Sequence, residues 1–160
     1  MPIAVLAPEA EVAALFDEYR APLHRFLLSL GLPPHDADEV VQEVFLALLH
    51  HLRANKPRTN LRAWLFQVAH NQAAKSRRRP PVEQLPPPDP APTPEALAID
   101  AQRRLRIAAV IAALPPKDRA CLALRAEGLR YREIAEILGI SVPGVALALD
   151  RAAKRLEQIR

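Results

Sequence analysis

Cysteine, glycine and aromatic residues are all scarce in this chain of 160 residues. There is one cysteine, there are four glycines, and Phe, Trp and Tyr together make up 4% of the sequence. A single thiol excludes an intramolecular disulfide and makes a reducing compartment the default. Cys121 falls in the helical pattern KDRACLALRAEG, where it reads as a small buried hydrophobe. So few glycines can hardly build a phosphate-cradling loop, and no nucleophile elbow or catalytic triad pattern occurs, so the sequence argues against an enzyme. No apolar run approaches the roughly 18 residues that a membrane span needs. The opening MPIAVLAPEA lacks a basic n-region and is too short for a signal peptide, so a cytoplasmic protein is expected. The five histidines, His24, His35, His50, His51 and His70, form no i, i+4 pair. With no acid or thiol cluster at ligand spacing either, neither metal nor cofactor is expected.

What is abundant is Ala, Leu and Arg, with half the residues apolar, a composition that favours helix over sheet. Lys and Arg number 22 against 18 acids, a net charge of +4 that permits nucleic-acid binding without demanding it. Proline is concentrated in one place. Eight of the fifteen residues of Pro80–Pro94, PPVEQLPPPDPAPTP, are Pro, so neither helix nor strand can propagate through it. That segment predicts a stiff, extended linker between two blocks, each with its own core. The expected organisation is a helical domain over 1–79, the linker over 80–94 and a second helical domain over 95–160.

Three helices are predicted in the first block. Val12, Phe16, Tyr19, Leu23, Phe26, Leu27 and Leu30 recur at three- and four-residue steps until Gly31 and Pro33–Pro34 stop them. Ala37, Val40, Val41, Val44, Phe45 and Leu48 make a second pattern, with Asp36, Asp38, Glu39, Gln42 and Glu43 near its start, where acids suit the positive helix end. A third runs from Asn60, a candidate N-cap, through Leu61, Trp64, Leu65, Val68 and Ala69 to Lys75-Ser76-Arg77-Arg78-Arg79.

The second block opens on Thr93 as N-cap and Pro94 at the first helical position, with helices expected over 95–113 and 116–127. Then comes YREIAEILGISVPGVALALDRAAKRL. Ile134, Ala135, Leu138, Ile140, Val145 and Leu149 carry the apolar pattern, Gly139 marks a turn and Ser141 opens the last helix. Short helix, Gly-containing turn and second helix read as a helix-turn-helix, whose second helix ordinarily lies in the major groove. The expected fold is therefore all-α: two small helical domains joined by a Pro-rich linker, the second a four-helix domain containing a helix-turn-helix.

DADEVVQEVFLALL, LRAWLFQVAHNQAAKSRRR, the Pro-rich linker and ALPPKDRACLALRAEGLRYREIAEILGIS together resemble the extracytoplasmic-function group of bacterial sigma factors. The resemblance covers nearly the whole chain in order and spacing. It implies a transcription initiation factor whose partners are core RNA polymerase and promoter DNA, with an anti-sigma factor that clamps the two domains. The positions matching the polymerase-docking helix are Asp38, Glu39, Gln42, Glu43 and Phe45. Those matching the part that opens and holds the upstream promoter element are Lys56, Arg58, Asn60, Arg62, Trp64, Asn71, Lys75, Arg77, Arg78 and Arg79. Cations there would neutralise phosphates. Trp64 reads either as core or as a stacking platform, and Asn71 either as a base reader or as helix surface. In the helix-turn-helix the residues left to touch DNA are Tyr131, Arg132, Ser141, Arg151 and Lys154.

One stretch departs from the family. Val145, Leu149, Ala152 and Leu156 are assigned to the inward face of the last helix, leaving Pro143, Gly144, Ala146, Leu147 and Ala148 outward. The family usually carries Lys or Arg at the positions of Ala146 and Ala148; here no cation precedes Arg151. The helix either reads DNA weakly, through its N-terminal amides and by shape, or has turned to a protein partner. A sigma-like interaction module is thus the alternative function.

Overall fold

The structure, a computed structural model, describes residues 7–76 and 99–159. Among these are seven helices and no strand: α1 (Pro8–Ser29), α2 (Pro34–Arg53), α3 (Leu61–Ser76), α4 (Ile99–Ala113), α5 (Pro116–Ala126), α6 (Tyr131–Leu138) and α7 (Val142–Glu157). The expected linker over 80–94, with Thr93, Pro94, Arg77, Arg78 and Arg79, lies outside the described residues.

Local chemistry sets most of the boundaries. α1, α2, α5 and α7 each carry a proline in the first turn, where its missing N–H leaves nothing unsatisfied. α3 begins at Asn60, whose Oδ1 accepts from the Ala63 amide at 3.3 Å. Asn60 adopts a positive φ of 55°, which asparagine tolerates better than most residues. α6 stops at Gly139, whose φ of 67° is the left-handed conformation a helix C-terminus favours. The Ile140 amide then reaches back to the Ala135 carbonyl at 3.0 Å. Two residues later the Ser141 hydroxyl accepts from Gly144 N at 3.1 Å and starts α7. The helix-turn-helix is therefore fixed by one glycine and one serine.

The first three helices bury Leu23, Phe26 and Leu27 from α1, Val40, Val44, Phe45, Leu48 and Leu52 from α2, and Leu65, Phe66, Ala69 and Ala73 from α3. Edge-to-face ring pairs lock this core, Phe26 with Phe66 at 5.6 Å and Phe16 with Phe45 at 5.1 Å. In the second block Leu124, Leu129, Ile134, Val145 and Ala152 are fully enclosed. Cys121 is buried with them, and that burial raises the pKa of its thiol. α4 is the loosest element: none of its side chains is buried.

The blocks are not held apart. α1 packs on α5 and α3 on α6. Cys121, Leu124, Leu129 and Ile134 join the same apolar cluster as Leu27, Leu65 and Phe66. Two separate cores were expected from the linker; instead the cores meet. The meeting brings α6 against the start of α3, which shapes the sites below.

Candidate functional site

On α2 the helical period sorts apolar from acidic residues. Val40, Val41, Val44 and Leu48 face the core, while Asp38, Glu39, Gln42 and Glu43 are exposed on the other side. Phe45 does not share that surface. It is 5% exposed, edge-on to Phe16, so a partner cannot reach it without opening the core. The apolar residue on the acidic face is instead Leu46, 59% exposed, which the sequence reading overlooked. The signal was present, since Leu46 follows Gln42 by four positions and Glu39 by seven. Two acids have histidine neighbours: His24 Nε2 lies 3.1 Å from Asp38 and His35 Nε2 lies 3.2 Å from Glu39. An exposed acidic helix face with one leucine in it suits a basic surface with an apolar notch.

The basic segment before and along α3 is only partly available. Lys56 and Lys75 are exposed. Arg58 pairs with Glu11 at 3.2 Å. Arg62 sends Nη2 to the Gly128 carbonyl at 3.2 Å and lies 3.9 Å from a Glu133 oxygen. Asn60 Nδ2 donates to the other Glu133 oxygen at 2.5 Å. Trp64 is half-buried against the core, its ring 4.6 Å from that of His51, whose Nε2 sits 2.7 Å from the Pro57 carbonyl. That placement favours packing over an open stacking platform. Asn71 is exposed and accepts from Gln67 Nε2 at 3.2 Å.

The helix-turn-helix presents Tyr131 and Arg132 on α6, and Val142, Pro143, Ala146 and Leu147 on α7, to solvent. The Arg125 guanidinium stands 5.4 Å over the Tyr131 ring, so that ring carries a cation with it. One placement on α7 differs from the sequence reading. Ala148 is not outward but fully buried, because it lies three residues after Val145 and four before Ala152 on the inward stripe. Leu149, assigned inward, is half-buried and packs against the core. Arg151 is not a free cation. Its Nε and Nη2 donate to the two oxygens of Asp118 at 3.0 and 2.9 Å. These hydrogen bonds hold the Asp118 carboxyl below its usual range despite its burial. Lys154 pairs with Asp150 at 3.0 Å on the exposed face. Ser141 spends its lone pair on the cap, leaving its O–H as a donor. Among the described residues no group of three acids, histidines or thiols could hold a metal ion.

The description of Sigma-70 region 2 matches residues 15–80 and that of Sigma-70, region 4 matches residues 104–156. SigL of Mycobacterium tuberculosis (strain H37Rv), an ECF RNA polymerase sigma factor, is 33% identical over 160 residues, covering 96% of this chain and 90% of its own. The chain belongs to the ECF RNA polymerase sigma factors. It is thus an alternative sigma factor, a protein of transcription initiation. SigE of Mycolicibacterium smegmatis is 29% identical, and this sigma factor spans 55% of that relative's length. A solved structure of CnrH in complex with the cytosolic domain of CnrY shares the fold at a TM-score of 0.65 and 27% identity, over 94% of this chain and 87% of that one. No described helix of this sigma factor is long and apolar enough to cross a membrane.

Proposed function

We propose that this sigma factor docks on core RNA polymerase through the exposed face of α2 and engages promoter DNA through both blocks, catalysing no reaction of its own. The observation that carries the docking assignment is the stripe Asp38, Glu39, Gln42, Glu43 and Leu46, exposed on a helix whose opposite face is fully packed. In this reading residues 1–79 supply the polymerase surface and the upstream-element surface, 80–94 the linker, and 95–160 the helix-turn-helix domain. Upstream-element binding falls to Lys56, Arg58, Asn60, Arg62, Asn71 and Lys75, joined by Arg77, Arg78 and Arg79. In the second block Tyr131, Arg132 and the amino end of α7 meet DNA, with phosphate held by backbone N–H groups rather than by cations. The protein works in the cytoplasm, and a regulator that clamps the two blocks fits a fold whose CnrH relative was solved bound to part of another protein.

The exposed apolar set on α7 favours a second reading for that helix alone. Leu147 is 59% and Val142 43% exposed, and no cation lies before Arg151, so the face suits a protein partner as well as a phosphate backbone.

Co-purification with core polymerase tests the docking assignment. Glu39→Arg with Glu43→Arg places like charges against a basic partner, at a cost of about 3 kcal/mol, or roughly 100-fold in affinity. Both side chains are exposed, so helicity and Tm should hold. Unchanged co-purification of the folded double variant overturns the assignment.

A further inference from the structure

From Val142 to Leu149, α7 has no side chain able to form a hydrogen bond. Val142, Pro143, Ala146 and Leu147 are nevertheless exposed, Val142 at 43% and Leu147 at 59%. They share one side of the helix because they recur at four-residue steps, Val142 with Ala146 and Pro143 with Leu147. Val145, Ala148 and Ala152 fill the opposite stripe and are wholly enclosed, so the core behind the patch holds it in place. One turn further on, Asp150 and Lys154 neutralise each other at 3.0 Å.

The surroundings of the patch are polar and cationic. Lys117, exposed on the first turn of α5, brings Nζ to 3.9 Å from the point where a side chain on Gly144 would begin. Arg132 is exposed on α6, the preceding helix of the motif, and the Arg125 guanidinium stands 5.4 Å over the Tyr131 ring. The Ser141 hydroxyl sits at the start of α7. An apolar centre with cations around it has the layout of a major-groove reader, because the groove floor carries base edges and its walls are phosphate. That cationic rim favours DNA over a protein as the occupant.

Each base pair shows donors and acceptors in the major groove, and thymine alone adds an apolar group, its C5 methyl. Valine, alanine and leucine side chains can answer only that group. Set against guanine O6 and N7 or cytosine N4 they strip water and return no bond, which penalises G·C pairs. Residues 142 to 147 span about 7.5 Å at roughly 1.5 Å per residue, or about two base-pair steps. We propose that α7 reads thymine methyl groups: Val142, Ala146 and Leu147 seat the C5 methyls of one or two neighbouring thymines, and Leu147, the most exposed of the three large or small apolar contacts, carries most of the selectivity. This assignment rests on the reading that the amino end of α7 meets DNA.

Deoxyuridine in place of thymine deletes the methyl and leaves every hydrogen-bonding edge intact, so it isolates this contact. The probe is a promoter duplex selected from a randomised library by the full chain bound to core polymerase. Each thymine is replaced in turn, and affinity is read by competition. At one or two thymines the replacement should weaken binding about 3- to 5-fold, the effect of one buried methyl. In the Leu147→Ala chain, where the altered side chain is exposed and the core is untouched, those same replacements should cost less than about 1.5-fold. 5-Methylcytosine at those positions should bind better than cytosine, because it returns the methyl. Equal affinity for thymine and deoxyuridine at every position would overturn the proposal, as would losses all of which persist unchanged in Leu147→Ala. Lys117→Ala with Arg132→Ala then tells the two failures apart. Weaker binding with a shallower salt dependence keeps this face on DNA without methyl reading. Unchanged binding takes the face off DNA altogether and leaves a protein partner as its occupant.

Discussion

Ala146 and Ala148 stand two positions apart on α7 and meet opposite surroundings, solvent for the first and a closed core for the second. Lys at 146 should steepen the salt dependence of DNA binding by about one unit with little change in stability. Arg at 148 must force a guanidinium into filled apolar space, costing about 3 kcal/mol and lowering Tm by roughly 6–12 °C. Thermal melts and salt titrations of the two variants check this, and equal stability would remove Ala148 from the core. The sequence reading put Ala148 outside because a small apolar side chain fits either face. The steps from Val145 to Ala148 to Ala152 were the better guide. Asp118 was still less legible. It looks like an ordinary first-turn acid of α5, yet Arg151, 33 residues later, forks onto it. Its folded pKa is lowered, so the pair stabilises the protein above the unfolded carboxyl value near about 3.9 and that stability is lost as pH falls through the folded pKa. Asp118→Asn should therefore flatten the acid limb of a Tm-against-pH curve. Arg151→Ala, which leaves the acid without its partner, should cost about 1.5–3 kcal/mol near neutral pH.

Elements were the most legible level. Prolines, an asparagine, a serine and three glycines of positive φ punctuate the helices where the sequence predicts, because caps and turns depend on neighbours in the chain. The amphipathic period of α2 likewise separated its acidic face from its core face. The period also puts Phe45 with the core, where it lies; only the resemblance gave it to the docking face. Replacing Ser141 by Ala removes the cap of α7 at a cost of about 1 kcal/mol. If the amino end of α7 meets phosphate, the same change should also weaken DNA binding, since frayed amides no longer point outward together. A loss of stability with DNA affinity intact would move that face toward a protein partner, as exposed Val142 and Leu147 already suggest.

At the scale of the whole molecule, the docking of the two blocks was invisible in the sequence. Arg25 and Glu127 are separated by 102 positions and Asn60 and Glu133 by 73, and nothing in the local pattern of either partner points to the other. A proline-rich segment reads as a spacer, and spacing says nothing about what the ends do when both carry apolar faces. The consequence is a molecule with one face free and another engaged. The central claim is that this chain directs polymerase to promoters, using α2 to dock. Run-off transcription with purified core polymerase on a library of genomic fragments measures it directly. Addition of the protein should yield a small set of discrete new transcripts, and the Glu39→Arg, Glu43→Arg variant should yield none. Polymerase that initiates no differently with the protein than without it would contradict the account.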